Sequence, residues 1–163
     1  MLDAVGIAEL LDLIAEKLCA DAFDIDRTAP WREQLETGLR QFRQLVLAHR
    51  DVATLLRDRP PTGPNRLGHM ETTLRILLDA HISVDDAAGI SRLLVAHVLT
   101  SPPATGPLDE PEPGDAEGLL ADYPSLRQVS PAFVRLSDED LFELGIEVIL
   151  DGIERRFEGS ADP

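Results

Sequence analysis

The chain has 163 residues, 44% of them apolar and 28% charged, which is enough for one domain with a core of its own and too apolar for a disordered chain. Thirty acids against 15 bases leave a net charge of −15, which argues against a phosphate-gripping face and against docking on an anionic membrane. Aromatics make up only 4%, so the core is aliphatic.

Residues 2–22 read as a helix with Ile7, Leu10, Ile14 and Leu18 on the inner face and Glu9, Asp12, Glu16 and Lys17 outside. This start carries acids and no basic lead-in, so it is not a signal peptide, and no run approaches the ~20 apolar residues of a membrane span. A cytoplasmic protein without a membrane segment is expected. The helix begins with no cap and no lead-in, which hints at a trimmed chain. Cys19 is the one cysteine and cannot form an internal disulfide; its neighbours Leu18 and Ala20 make it a small buried hydrophobe.

A loop over AFDIDRTAP leads to Pro30, which opens a helix running to about His49 through Leu35, Leu39, Phe42 and Val46. A shorter apolar piece follows to Arg57, and RPPTGP at 59–64 is a firm break. Residues 65–80 form a helix with Leu67, Met70, Leu74 and Leu77 inside. Ser83 with Asp86 three residues on starts another, 84–100, apolar on nearly every side and therefore expected to be buried all round. Residues 101–117 hold five prolines, two glycines and five acids, the composition of a mobile solvated loop. Two short helical pieces, 116–122 and 124–130, precede the last helix, Ser137–Phe157. No stretch alternates as a strand, so the fold class is all-α, and the chain is a single domain, 1–163.

The last helix carries two apolar stripes. Phe142, Ile146, Ile149, Ile153 and Phe157 form one, suited to the chain's own core; Leu141, Gly145, Val148 and Gly152 form the other. A Gly inside a helix costs about 1 kcal/mol relative to Ala, so two of them point to close approach by a further helix, and a homodimer interface is expected there. The plainer alternative is a core helix with incidental glycines. Ser137 ahead of Asp138, Glu139 and Asp140 supplies a cap and dipole-complementing acids.

No phosphate loop, paired cysteines or hydrolase signature is present. His49 reads as a helix-end residue. His69 and Glu71 are two apart on a helix and make a poor metal pair. His81 lies just past a helix end. His97 interrupts an apolar helix and is either a satisfied core or interface histidine or a ligand contact. General acid–base chemistry needs a positioned partner, and none is visible, so an enzyme, a metal and a cofactor are not expected.

Three segments, LVLAHRDVATLLRDRP (45–60) with the Gly63-Pro64 break, SVDDAAGISRLLVAHVL (83–99) and LFELGIEVILDGIERRF (141–157), resemble the ligand-binding and dimerisation domain of TetR-type transcriptional regulators, the tetracycline-repressor C-terminal class. The resemblance implies that the helices at about 84–100 and 137–157 form a four-helix bundle in a homodimer, through Ile90, Leu94, His97, Leu141, Gly145, Val148 and Gly152. It implies further that an N-terminal helix-turn-helix domain, absent from this sequence, would make the DNA contact, with residues 2–14 as the connecting helix. Carried over position by position, the pocket phenylalanine matches Phe42 and an Arg-Pro pair matches Arg59 and Pro60. The family's drug-binding histidine falls at Ile14, its pocket asparagine at Gly38, its magnesium-binding histidine at Leu56 and the partner's metal-linked glutamate near Thr105. Ile14, Gly38, Phe42, Leu56, Arg59, Pro60 and His97 make the expected ligand site. Its polar anchors are replaced by apolar or small residues, so the resemblance implies a small apolar effector and no magnesium. The expected function is the effector-binding domain of a repressor; a stand-alone interaction or drug-sequestering protein is the alternative.

Overall fold

A computed structural model of the chain describes residues 4–20, 23–49, 52–101 and 120–157. Every regular element among them is a helix: α1 (Ala4–Leu18), α2 (Trp31–Ala48), α3 (Val52–Asp58), α4 (Pro64–Asp79), α5 (Val84–Thr100), α6 (Pro124–Arg135) and α7 (Asp138–Phe157). The loop 101–117, the short piece 116–122 and Thr105 fall wholly or mostly outside the described residues.

Helix α5 is the axis of the fold, packing against α2, α3, α4 and α7. Its apolar circumference divides three ways. Leu94 and Val98 are fully buried in the core, Val95, Ala96 and Leu99 line a cavity, and Leu93 faces outward at 52% exposure. The chain itself covers only part of this helix, so burial on all sides would need a second copy. Leu94, expected at a subunit interface, is already buried in the core of the single chain, at 1% exposure.

The first stripe of α7 packs as its spacing predicts, with Phe142, Ile146 and Ile153 buried beside Leu150. Burying each such side chain contributes roughly 1.5–3 kcal/mol. Leu141 and Val148, on the second stripe, remain 49% and 58% exposed. Gly145 behaves differently: a Cβ there would overlap the imidazole of His97 on α5. Its close neighbour is thus a residue of its own chain. Gly152 has nothing within 4 Å of a Cβ position.

The acidic side of α7 is not left to solvent. Arg32 of α2 bonds Asp151 (2.7 Å) and Glu154 (2.9 Å), Arg40 bonds Glu143 (2.9 Å), and Arg43 bonds Glu139 (3.0 Å). Numbers rise along α2 as they fall along α7, so the two helices run antiparallel. Arg43 is buried, its guanidinium 4.3 Å from the Phe142 ring centroid. His97 stacks on that same ring at 5.2 Å and 6°.

In α1 the inner face is Ala15 and Cys19, with Leu18 partly buried, whereas Leu10, Leu13 and Ile14 are 50%, 61% and 41% exposed. The predicted Leu10–Ile14 face is rotated outward because small side chains, not leucines, fit against α3 and α4. In α4 the same happens: Ile76 and Leu77 are buried and Leu67 is exposed. Glu16, placed outside by periodicity, reaches the start of α4 and accepts from the Asn65 and Arg66 amides, supplying the N-terminal cap that Pro64 and Gly63 cannot. A Cβ on Gly63 would collide with it. The capping boxes at Ser83–Asp86 and Ser137–Asp140 form as their sequences predict.

Candidate functional site

A cavity of about 410 Å³ lies among the end of α1, α2, α3 with the break after it, α4 and α5. It falls at the lower end of the roughly 300–1,000 Å³ usual for small-molecule sites. Phe42 from α2, Leu56 from α3, Met70 from α4 and Val95 and Leu99 from α5 give it an apolar wall. Thr73, Ser91 and Thr100 add hydroxyls, and Arg57, Arg59, Arg66 and Arg92 add cations.

Two of these arginines are already engaged. Arg59 donates to the Ala8 carbonyl and to Asp12, both at 2.8 Å, strapping the RPP break to α1. Arg66, 9% exposed, donates to the carbonyls of Arg59 (2.5 Å), Pro60 (3.2 Å) and Leu56 (3.3 Å). It thereby closes the last turn of α3 and fixes the cavity's floor.

A second cavity, about 300 Å³, adjoins the first. Cys19, Phe23 and His69 line both and form the partition. The Phe23 and His69 rings meet at 4.0 Å, tilted by 56°. Burial pushes the Cys19 thiol above its ordinary 9.0, Arg66 pulls it down, and Glu16 pushes it up. Arg27, Asn65 and Arg75 surround the outer space.

Of the sequence-predicted ligand residues, Phe42, Leu56, Arg59 and Pro60 meet in the main cavity. Ile14 does not line it, lying exposed on the outer side of α1. Gly38 faces Ile25, whose Cδ1 is 3.1 Å from a Cβ position, and so borders the 23–29 loop instead. His97 is turned away as well. Its Nε2 is 2.9 Å from the Phe142 carbonyl, and because a carbonyl only accepts, Nε2 carries the proton. It is a half-buried histidine satisfied by its own chain. Sequence reasoning missed Cys19, Phe23, Arg66, His69 and the α5 wall of Ser91, Arg92, Val95, Ala96, Leu99 and Thr100. The run of apolar residues on every side of α5 was their one available signal.

Helices closing on an amphipathic cavity, with apolar helix surface left uncovered outside, define a helical ligand-binding domain. The family described as "Tetracyclin repressor-like, C-terminal domain" matches residues 26–157, and the chain belongs to it. It is 32% identical over 154 residues to the tetracycline repressor protein class A from transposon 1721 of Escherichia coli, covering 90% of this chain and 70% of that one. The fold superposes on the Streptomyces coelicolor TetR family protein ActR in complex with actinorhodin, at a TM-score of 0.77 and 27% identity, over 98% of this chain and 80% of that one. ActR in complex with (S)-DNPA gives a TM-score of 0.71 at 29% identity, over 89% of this chain and 74% of that one. The chain is thus a TetR-family ligand-binding domain.

Proposed function

We propose that this chain is the effector-binding and dimerising part of a TetR-type transcriptional repressor, in which a small molecule with an apolar body, held in the 410 Å³ cavity, releases DNA. The observation that carries this is the division of α5, whose one side walls the cavity while another, at Leu93, stays uncovered. The crystallised complexes of ActR with actinorhodin and (S)-DNPA support a ligand reading of such a cavity.

The partner is a second copy. Leu141, Leu144 and Val148 on α7 are exposed, Gly152 leaves room for an approaching helix, and α6 buries none of its residues despite Leu126, Val129, Phe133 and Val134. Exposed apolar surface on this scale, spread over three helices, marks an interaction site. Ile90, half-buried on α5, is assigned to the same interface. DNA contact belongs to a separate head resting on the exposed Leu10, Leu13 and Ile14 of α1. Ligand displaces α3 and α4; Arg59–Asp12 and Glu16 at the start of α4 carry the shift to α1, while α5 and α7 stay fixed.

A thermal-shift series with small aromatic and polycyclic compounds tests this, since a ligand at about 100 times its Kd adds about 2.7 kcal/mol of stability. Hits that raise Tm and are lost in Ala96→Trp, which fills the cavity, are expected. Identical positions of α1 relative to α5 with and without a hit would refute the release mechanism.

A further inference from the structure

We infer that the effector is an anion, an apolar body bearing a carboxylate or equivalent acid, bound by Arg66 and Arg92. This rests on the ligand-binding reading above and deepens it. The chain carries 30 acids and 15 bases, yet among the described residues no Asp or Glu lines the main cavity and four arginines do. The adjoining space repeats the pattern, with Arg27 and Arg75 and, among the described residues, no carboxylate. Among the described residues the acids thus stay away from the place a ligand would occupy.

The arginines differ in what they have left to offer. Arg59 is neutralised by Asp12 at 2.8 Å, and Arg57 has Asp58 at 3.7 Å. Arg66 is buried with its guanidinium against three carbonyl oxygens, which satisfy its N–H groups without neutralising its charge; among the described residues the guanidinium forms no ion pair, the Glu16 carboxylate being held at the Arg66 backbone amide instead. Arg92 forms no hydrogen bond or ion pair among the described residues. A buried cation without a counter-ion is costly, and an anion entering beside it recovers that cost. Phe42, Leu56, Val95 and Leu99 require that the same molecule be apolar elsewhere.

Two fluorescent probes of nearly the same shape separate charge from burial: anilinonaphthalene sulfonate and its uncharged parent, phenylnaphthylamine. The sulfonate is expected to bind the native chain about tenfold more tightly than the parent, the worth of a charged hydrogen bond. The preference should fall in Arg92→Gln, an exposed position that tolerates the change, and in Arg66→Gln if that variant folds by circular dichroism. Both probes should lose binding in Ala96→Trp. Equal affinities, or a preference unchanged in both arginine variants, would overturn the anion inference and leave the cavity reading intact. If neither probe binds, or if both bind Ala96→Trp undiminished, the cavity reading itself fails and the inference falls with it.

Discussion

His97 lies directly over Gly145, so that α5 and α7 approach through an imidazole seated where a side chain would otherwise be. The same ring stacks on Phe142 at 5.2 Å and donates to its carbonyl at 2.9 Å. Gly145→Ala therefore overpacks the contact. Overpacking costs about 1–3 kcal/mol, and the better helix propensity of Ala returns about 1. A net loss of about 1 kcal/mol in urea unfolding is expected. In a His97→Ala background the overlap is gone, and the same substitution should become stabilising. A loss of equal size in both backgrounds would show that the two residues are independent.

Helix α4 ends in a turn that places His81 at φ 61°, with the Ile82 amide bonded to the Leu77 carbonyl and the His81 amide to that of Leu78. This is the six-to-one, five-to-two pattern that favours Gly at the left-handed position. His81 is exposed, so its side chain has little to lose. His81→Gly should raise stability by on the order of 1 kcal/mol, read as an increase in Tm.

The ladder between α2 and α7 gives the fold an acid limit. Bonding from Arg40 holds the Glu143 carboxylate below its ordinary 4.5, and the Ser137 hydroxyl and amide hold Asp140 below 3.8. A depressed acid contributes stability that is complete above its unfolded pKa and is lost as pH falls through the folded one. Tm should decline as pH drops below about 4.5, and Glu143→Gln should make the onset of that decline shallower. A Tm flat through this range would contradict the assignment.

Cys19 stands in the partition between the two cavities at 4% exposure. Its raised pKa leaves little thiolate at neutral pH, and the thiolate is the nucleophile. Alkylation by iodoacetamide should be slow in the native chain, slower still with a cavity ligand bound, and fast in denaturant. Rapid labelling of the native chain would mean that the partition opens readily.

How legible this was in the sequence depended on what each residue had to do. Apolar spacing located six of the seven helices closely, because 3.6-residue periodicity is a local property; α6 runs five residues past its expected end, through Pro131. The side of a helix that faces inward was less secure. In α1 both Leu10–Ile14 and Ala15–Cys19 are plausible inner faces, and only the tertiary fit of small residues against α4 decides between them. The two glycines of α7 looked alike in sequence, yet one accommodates His97 and the other faces open space. Glu16 and the acids of α7 read as solvated because their arginine and amide partners are dozens of residues away. The cavity was legible through Phe42, Leu56, Arg59 and Pro60 by resemblance, whereas its α5 wall and its carbonyl-held Arg66 depend on contacts that no local pattern encodes.

The claim on which the regulator reading depends is that the outer faces of α5, α6 and α7 pair with a second copy. Light scattering of the chain, alone and as Val148→Glu, tests it most directly. The account predicts a mass near twice 17.9 kDa that persists on dilution, falling to 17.9 kDa in the variant without loss of helix content. A native chain that scatters as a monomer would contradict it.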